Sequence, residues 1–126
     1  MKPTNQQIEE AVAKMLGWSK CQDETGRWHI RMPNGKINCG FGSRYEEHAD
    51  YWLPILSGRY CTDRNLLPQL WAYLEGDNLE IEFQREFILI IPSGFDVLQW
   101  FMIAPPRVHC KAFLKAVSAW PDEWDE

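Results

Sequence analysis

Three apolar runs that follow one another between Leu79 and Ile103 constrain the fold more than any other feature. Residues 79–84 alternate apolar and polar side chains, which is the two-residue period of a half-exposed strand. Residues 87–91 contain no polar position and therefore predict a strand that is covered on both faces. Residues 97–103 supply the third run. We therefore predict an antiparallel meander over about 79–103.

Three amphipathic segments predict the helices that pack around this meander. Apolar residues recur at helical spacing over about 5–16, 65–76 and 105–119. Helices combined with a meander whose middle strand is covered on both faces indicate an α+β fold, arranged as an α-β-α sandwich.

The ends of the first two helices carry recognisable signals. Thr4 or Asn5 can cap the first helix, and Gly17 is a natural stop. In the second helix Pro68 is harmless if Asn65 is the cap, because it then lies in the first turn. A cap at Thr62 or Asp63 instead predicts a kink near Pro68.

Length and charge favour one acidic domain. The 126 residues fit a single domain over 1–126, and the net charge is -5. Four of the last five residues, 122–126, are acidic, which predicts an acidic tail. A body close to neutral lacks the basic stripe of an electrostatic nucleic-acid binder, so strong nucleic-acid binding is not expected.

The sequence predicts a cytoplasmic location. Residues 1–5 carry no apolar segment of the kind that opens a signal peptide. No run approaches the ~18 apolar residues that span a bilayer. We therefore expect no membrane partner and reduced thiols.

Residues 19–60 form a long, aromatic-rich connection. Residues 28–32 and 37–39, joined by a turn at 33–36, predict a small hairpin, and residues 44–49 predict a short helical turn. The connection contains the aromatic residues Phe41, Tyr45, Tyr51 and Trp52. Two interpretations of these residues stay open: they mediate self-association as a homo-oligomer, or they pack beneath the connection.

Three segments give the chain a resemblance to a known family. Residues 8–18 form a helix followed by Gly17-Trp18, residues 60–63 read Tyr-Cys-Thr-Asp before the second helix, and residues 105–117 form a closing helix. This order resembles the phage ABA sandwich domain family, with Cys61 where Ser is usual. The resemblance spans most of the chain. It implies an α-β-α sandwich and a bacteriophage or prophage origin, and it implies no known reaction.

Metal and thiol chemistry find weak support in the sequence. Four residues of one region are chemically able to bind zinc: Cys21, His29, Cys39 and His48. They are widely spaced and contain no Cys-x-x-Cys pair, so we predict no metal site and no cofactor. His109 and Cys110 are neighbours on a helix and point about 100° apart, so they cannot pair directly. A cysteine-dependent enzyme using Cys61 or Cys110 remains an alternative, and we expect a protein without catalytic residues.

An anion cradle is the candidate site that the sequence predicts. Arg107 and His109 lie in the first turn of the third helix, where free N–H groups favour negative charge. Trp100 in the preceding strand would add an aromatic face. The alternative is a solvated Arg107 and a Trp100 in the core.

These observations predict a small phage or prophage accessory protein that acts by binding. In its most concrete form it would serve counter-defence, by sequestering a host signalling nucleotide or a host protein. The phosphate-bearing ligand would occupy the cradle of Arg107, His109 and Trp100. The first alternative is an oligomeric structural or assembly factor of the phage.

Overall fold

The computed structural model describes residues 1–38 and 42–124. Within these residues the chain forms six α-helices, a 3-10 turn at Arg64–Leu66 and a two-stranded antiparallel sheet. The predicted mixed α+β class is therefore confirmed. In chain order the elements are α1 Asn5–Leu16, β1 Ser19–Gln22, β2 Trp28–Arg31, α2 Glu46–Ser57, α3 Leu67–Gly76, α4 Glu80–Ile88, α5 Val97–Ile103 and α6 Pro106–Ala116.

The first helix forms as its end signals predict. Thr4 caps α1 by accepting a hydrogen bond from the Gln7 N–H, and the Gln7 side chain accepts one from the Thr4 N–H. Gly17 ends the helix in the left-handed region, at φ 109°. The apolar stripe of α1 is buried, with Ile8 and Val12 fully enclosed.

The meander predicted over 79–103 is wrong, because α4 and α5 occupy this stretch. Helical spacing decides the matter: Phe83 and Phe87 lie one turn apart and are both buried. Ile81, which strand alternation would place beside Phe83, is 62% exposed. Leu89, expected in a strand covered on both faces, is 76% exposed. The α-β-α sandwich that depended on this meander is not confirmed.

The hairpin prediction holds in part. The strand β2 forms, but it pairs with β1 upstream, with Cys21 opposite His29. The turn at 33–36 is present, and Arg31 forms an isolated bridge to Ile37 beyond it. The end of the predicted return strand, Cys39, lies outside the described residues. The short turn predicted at 44–49 is instead the full helix α2, which contains Pro54.

The second and third predicted helices also form, with shifted ends. Asp63 caps the 3-10 turn by accepting from the Asn65 N–H, and α3 follows with Pro68 in its first turn. Pro106 opens α6, which ends at Ala116 rather than near 119. Beyond it Ser118 adopts a left-handed φ of 59°, so the helix cannot continue.

The core is built around α6. This helix packs against α1, α3 and α4, and it buries Ala112, Phe113 and Leu114 completely. The sheet packs on α2 at the other side of α1. None of the described helices is long and apolar enough to cross a membrane.

Tyr60 fixes the connection between α2 and the core. Its ring is fully buried, and its hydroxyl accepts a hydrogen bond from Trp18 Nε1 at 3.1 Å and donates one to Gln69 Oε1 at 2.8 Å. One hydroxyl therefore links the end of α1 to α3.

We expect Tyr60→Phe to lower the free energy of unfolding by about 1–2 kcal/mol, because two partly buried polar groups lose their partner. Urea unfolding followed by circular dichroism measures this change. The matched control is Tyr51→Phe, since Tyr51 is 66% exposed, and it should stay within about 0.5 kcal/mol of the wild type. Equal stability of the two variants would contradict a stabilising role for the Tyr60 hydroxyl.

Candidate functional site

An apolar groove of about 510 Å³ lies between α3, α4 and α5. We call it the α3–α5 groove. Its lining is apolar apart from one carboxylate and one amide, as the full set shows: Trp71, Leu74, Glu80, Phe83, Gln84, Phe87, Val97, Leu98 and Phe101.

Exposed apolar side chains also lie on α4 and α5, two of the helices that form this groove, and Val97 and Leu98 among them line it. We define the apolar rim as six residues of these helices, which are between 46% and 69% exposed: Ile81, Ile88, Val97, Leu98, Met102 and Ile103. Large contiguous apolar patches on a protein surface mark interaction sites. The groove and its rim therefore form the strongest candidate site on the described surface.

Backbone hydrogen bonds hold α5 in place beside the groove. Asp96 caps its first turn by accepting from the Gln99 N–H at 2.7 Å. The Arg64 guanidinium donates to the carbonyls of Met102, at 2.8 Å, and Ala104 at the other end. A cation at the C-terminal end of a helix satisfies carbonyls that have no partner within the helix. The helix is thus fixed while much of its side-chain surface stays exposed.

His109 lies directly beneath the groove floor. Its ring is fully buried and contacts four aromatic side chains that line the groove: Trp71, Phe83, Phe87 and Phe101, at centroid distances of 6.1, 6.5, 5.1 and 5.0 Å. Its Nε2 lies 3.1 Å from the Phe101 carbonyl and must donate, because a carbonyl only accepts. Neither His109 Nδ1 nor Trp71 Nε1 has a partner among the described residues.

The buried ring is neutral at physiological pH. Burial lowers the pKa of His109 from 6.5 to about 4, and the nearby Arg64 guanidinium adds to this effect. The bond to the Phe101 carbonyl opposes the shift without cancelling it. His109 is therefore a structural support of the groove and not a charged ligand contact.

The depressed pKa predicts a stability that depends on pH. The unfolded chain takes up a proton near pH 6.5 and the folded chain only near pH 4, so the free energy of unfolding falls as the pH drops through this window. We expect the titration of His109 to lower the free energy of unfolding by about 2 kcal/mol between pH 7.5 and pH 5. Urea unfolding at both values measures it.

The substitution His109→Gln should flatten this pH dependence even if it lowers stability at every pH. The control is His48→Gln, since His48 is exposed, and it should keep the wild-type slope. An unchanged slope in His109→Gln would show that other groups cause the pH dependence.

The residues of the predicted anion cradle lie in three different environments. Arg107 donates to Asn5 Oδ1 and to the Pro3 carbonyl, so it faces the start of α1. His109 faces inward, beneath the groove. Trp100 is in helix α5 rather than in a strand, and its ring packs against Phe95 at 5.4 Å. The structure therefore brings His109 to the groove but does not gather the three residues around one ligand position.

The thiols offer little to a nucleophilic mechanism. Cys110 is fully buried and Cys61 is 4% exposed. Contact with the Cys61 thiol and burial raise the pKa of Cys110, which opposes thiolate formation. Cys110 Sγ donates to the Tyr60 carbonyl, and His109 points away from it toward α5.

The residues considered for zinc are not assembled in the part of the chain that is described. His29 Nε2 pairs with the Asp23 carboxylate at 2.7 Å, and His48 Nδ1 pairs with Ser43 at 2.7 Å. Within residues 1–38 and 42–124 no three metal-binding side chains come together. Cys39 lies outside these ranges.

The aromatic residues of the long connection form a second exposed surface on α2. Tyr51 and Trp52 contact each other edge to face at 5.5 Å and are 66% and 42% exposed. Tyr45 and Ile55 are exposed as well. Phe41 falls outside the described residues. We call Tyr45, Tyr51, Trp52 and Ile55 the α2 face.

Comparisons with protein-family models, with curated proteins and with solved structures found no match. Function is therefore inferred from the geometry of the chain itself.

The sequence reasoning missed the groove, although a signal for it was present. Phe83 and Phe87, and likewise Leu98 and Met102, are four residues apart, which is the spacing of one helix face. Treating these stretches as strands distributed the same residues over two faces of a sheet. The groove lining was therefore read as core.

Proposed function

We propose that this chain is a small, non-enzymatic binding protein that captures an apolar helical segment of another protein in the α3–α5 groove. The observation that carries the proposal is the apolar rim. A small ligand could fill a 510 Å³ groove and cover Val97 and Leu98, but it would leave the rim residues outside the lining exposed to water. A helix laid into the groove would cover both, as in other helix-in-groove complexes.

The chemistry of the groove favours binding over catalysis. Its described lining includes no serine, cysteine, histidine or lysine, so it offers no nucleophile with an adjacent base. Glu80 is the one titratable group among the lining residues. A carboxylate without a second titratable group supports recognition better than proton transfer.

The resemblance to the phage ABA sandwich domain family supports a more specific setting. We propose an accessory protein of phage or prophage origin, acting in the cytoplasm of the host, whose captured partner is a host protein. Sequestration of a host signalling nucleotide is the weaker form of this counter-defence proposal, because the Arg107 guanidinium already serves Asn5 and Pro3.

A model peptide tests the groove directly. The probe is a peptide of about 16 residues with leucines at helical i, i+3, i+4 and i+7 spacing and an uncharged glutamine-rich polar face. We expect two-dimensional NMR to show shift changes concentrated on α3, α4 and α5. Leu98→Asp should weaken binding at least tenfold, because it places a charge where apolar contact is made.

The matched control is Tyr51→Asp, which changes a residue of similar exposure on α2 and should bind like the wild type. Shift changes centred on α2, or equal binding by Leu98→Asp and the wild type, would rule out the groove as the binding site.

A homo-oligomeric assembly factor is the second candidate function, favoured by the α2 face. In that case sedimentation velocity should show an oligomer that Tyr51→Asp converts to a monomer and Leu98→Asp leaves intact. A wild type that stays monomeric at high concentration would argue against this role.

A further inference from the structure

The elements that form the α3–α5 groove are acidic, with a net charge of -5 over residues 67–103. Residues 67–103 contain six acidic residues and a single basic one, Arg85, whereas the whole chain has a net charge of -5. The acidic residues of this stretch are Glu75, Asp77, Glu80, Glu82, Glu86 and Asp96.

Several of these carboxylates lie at or beside the groove. Glu80 lines it. Glu75, Glu82 and Asp96, and also Arg85, each adjoin a lining residue in sequence, and all four are exposed. Charges within a Debye length of about 8–10 Å act together on an approaching partner. The groove is thus an apolar floor on elements of net negative charge, which we call the acidic surround.

This charge separates the occupants that could cover the apolar rim. A second copy docking face to face would bring the two acidic surrounds together, and like charges placed opposite each other across an interface cost several kcal/mol. An anionic membrane would be repelled in the same way. A partner with basic residues flanking its apolar stripe would be attracted by the same carboxylates that repel a second copy or an anionic membrane.

From this complementarity we infer that the natural occupant of the groove is a basic amphipathic helix, with apolar residues at i, i+3, i+4 and i+7 and lysine or arginine on both sides of that stripe. The inference rests on the proposed binding function of the groove and specifies the chemistry of its partner. Helix α4 is about 13 Å long, so the groove accommodates two to three turns of the partner.

Three peptides with the same leucine stripe test the charge preference. Their polar faces consist of lysine, glutamine or glutamate, and their ends are acetylated and amidated so that only these side chains carry charge. We expect fluorescence anisotropy to give the lysine peptide at least tenfold tighter binding than the glutamine peptide, and the glutamate peptide the weakest. The preference should shrink as salt rises, because exposed charges are screened.

Two variants separate charge recognition from unspecific attraction. Glu80→Gln together with Glu82→Gln should weaken the binding of the lysine peptide about three- to tenfold and leave the binding of the glutamine peptide unchanged. Glu24→Gln together with Glu47→Gln, which removes two exposed carboxylates on the β1–β2 turn and on α2, is the charge-matched control and should change neither. Leu98→Asp should weaken the binding of the lysine peptide although it adds a negative charge. Attraction by charge alone would instead strengthen this binding.

The outcomes distinguish the inference from the function on which it rests. Equal binding of the lysine and glutamine peptides in the groove overturns the basic partner and leaves the binding function standing. Binding of none of the three overturns the binding function itself. A wild-type dimer that Leu98→Asp dissociates would assign the groove to a second copy. Binding to neutral phosphatidylcholine vesicles that Leu98→Asp abolishes would assign it to a lipid surface, and either result overturns the inference.

Discussion

The hydrogen bond from His109 Nε2 to the Phe101 carbonyl joins α6 to α5 and determines where the groove floor lies. Apolar contacts alone would let α5 slide along the aromatic side chains of α4, because dispersion forces have little directionality. A hydrogen bond to one carbonyl fixes a single register. The ring must be neutral to stay in this environment, which is why its pKa falls to about 4. One polar side chain thereby positions a surface that is otherwise apolar.

The anchoring of α5 explains why so much apolar surface remains exposed. Asp96, Arg64 and His109 all bind the backbone of α5 or of its last turn rather than its side chains. The helix is therefore held without burying Leu98 or Met102. A surface that is already ordered pays less conformational entropy when a partner docks. The same polar contacts that fix the fold thus keep the groove surface ordered, as the proposed binding function requires.

The parts of the fold that sequence predicts are those with local signals. The first helix has a capping box at Thr4 and a glycine stop at Gly17, and both act within one turn of the chain. The first part of the predicted meander lacks such a signal, because no side chain caps α4, and only Asp96 before α5 provides one. Leu79, Ile81 and Phe83 fit a strand, while Leu79, Phe83 and Phe87 fit a helix face equally well. The buried face of α6, which is distant in sequence, decides between them.

His109 illustrates the same limit at the level of the site. Beside Arg107 in a first turn, it has the position expected of an anion ligand. It also lies four residues before Phe113 and seven before Ala116, which are buried positions of the same helix face. The tertiary partners select the second role, because four aromatic rings enclose the imidazole. Helical periodicity predicts that the His109 side chain faces inward, which is correct, whereas the residue type alone suggested a ligand contact.

Apolar exposure and negative charge compensate each other on this surface. An exposed apolar rim favours self-association, and net charge away from zero opposes it. In the proposed complex the carboxylates beside the groove would keep their water shells, so they would contribute mainly to the rate and selectivity of encounter. The aromatic floor would lose its water and contribute most of the affinity. Under the proposed function, charge would therefore select the partner and apolar contact would retain it.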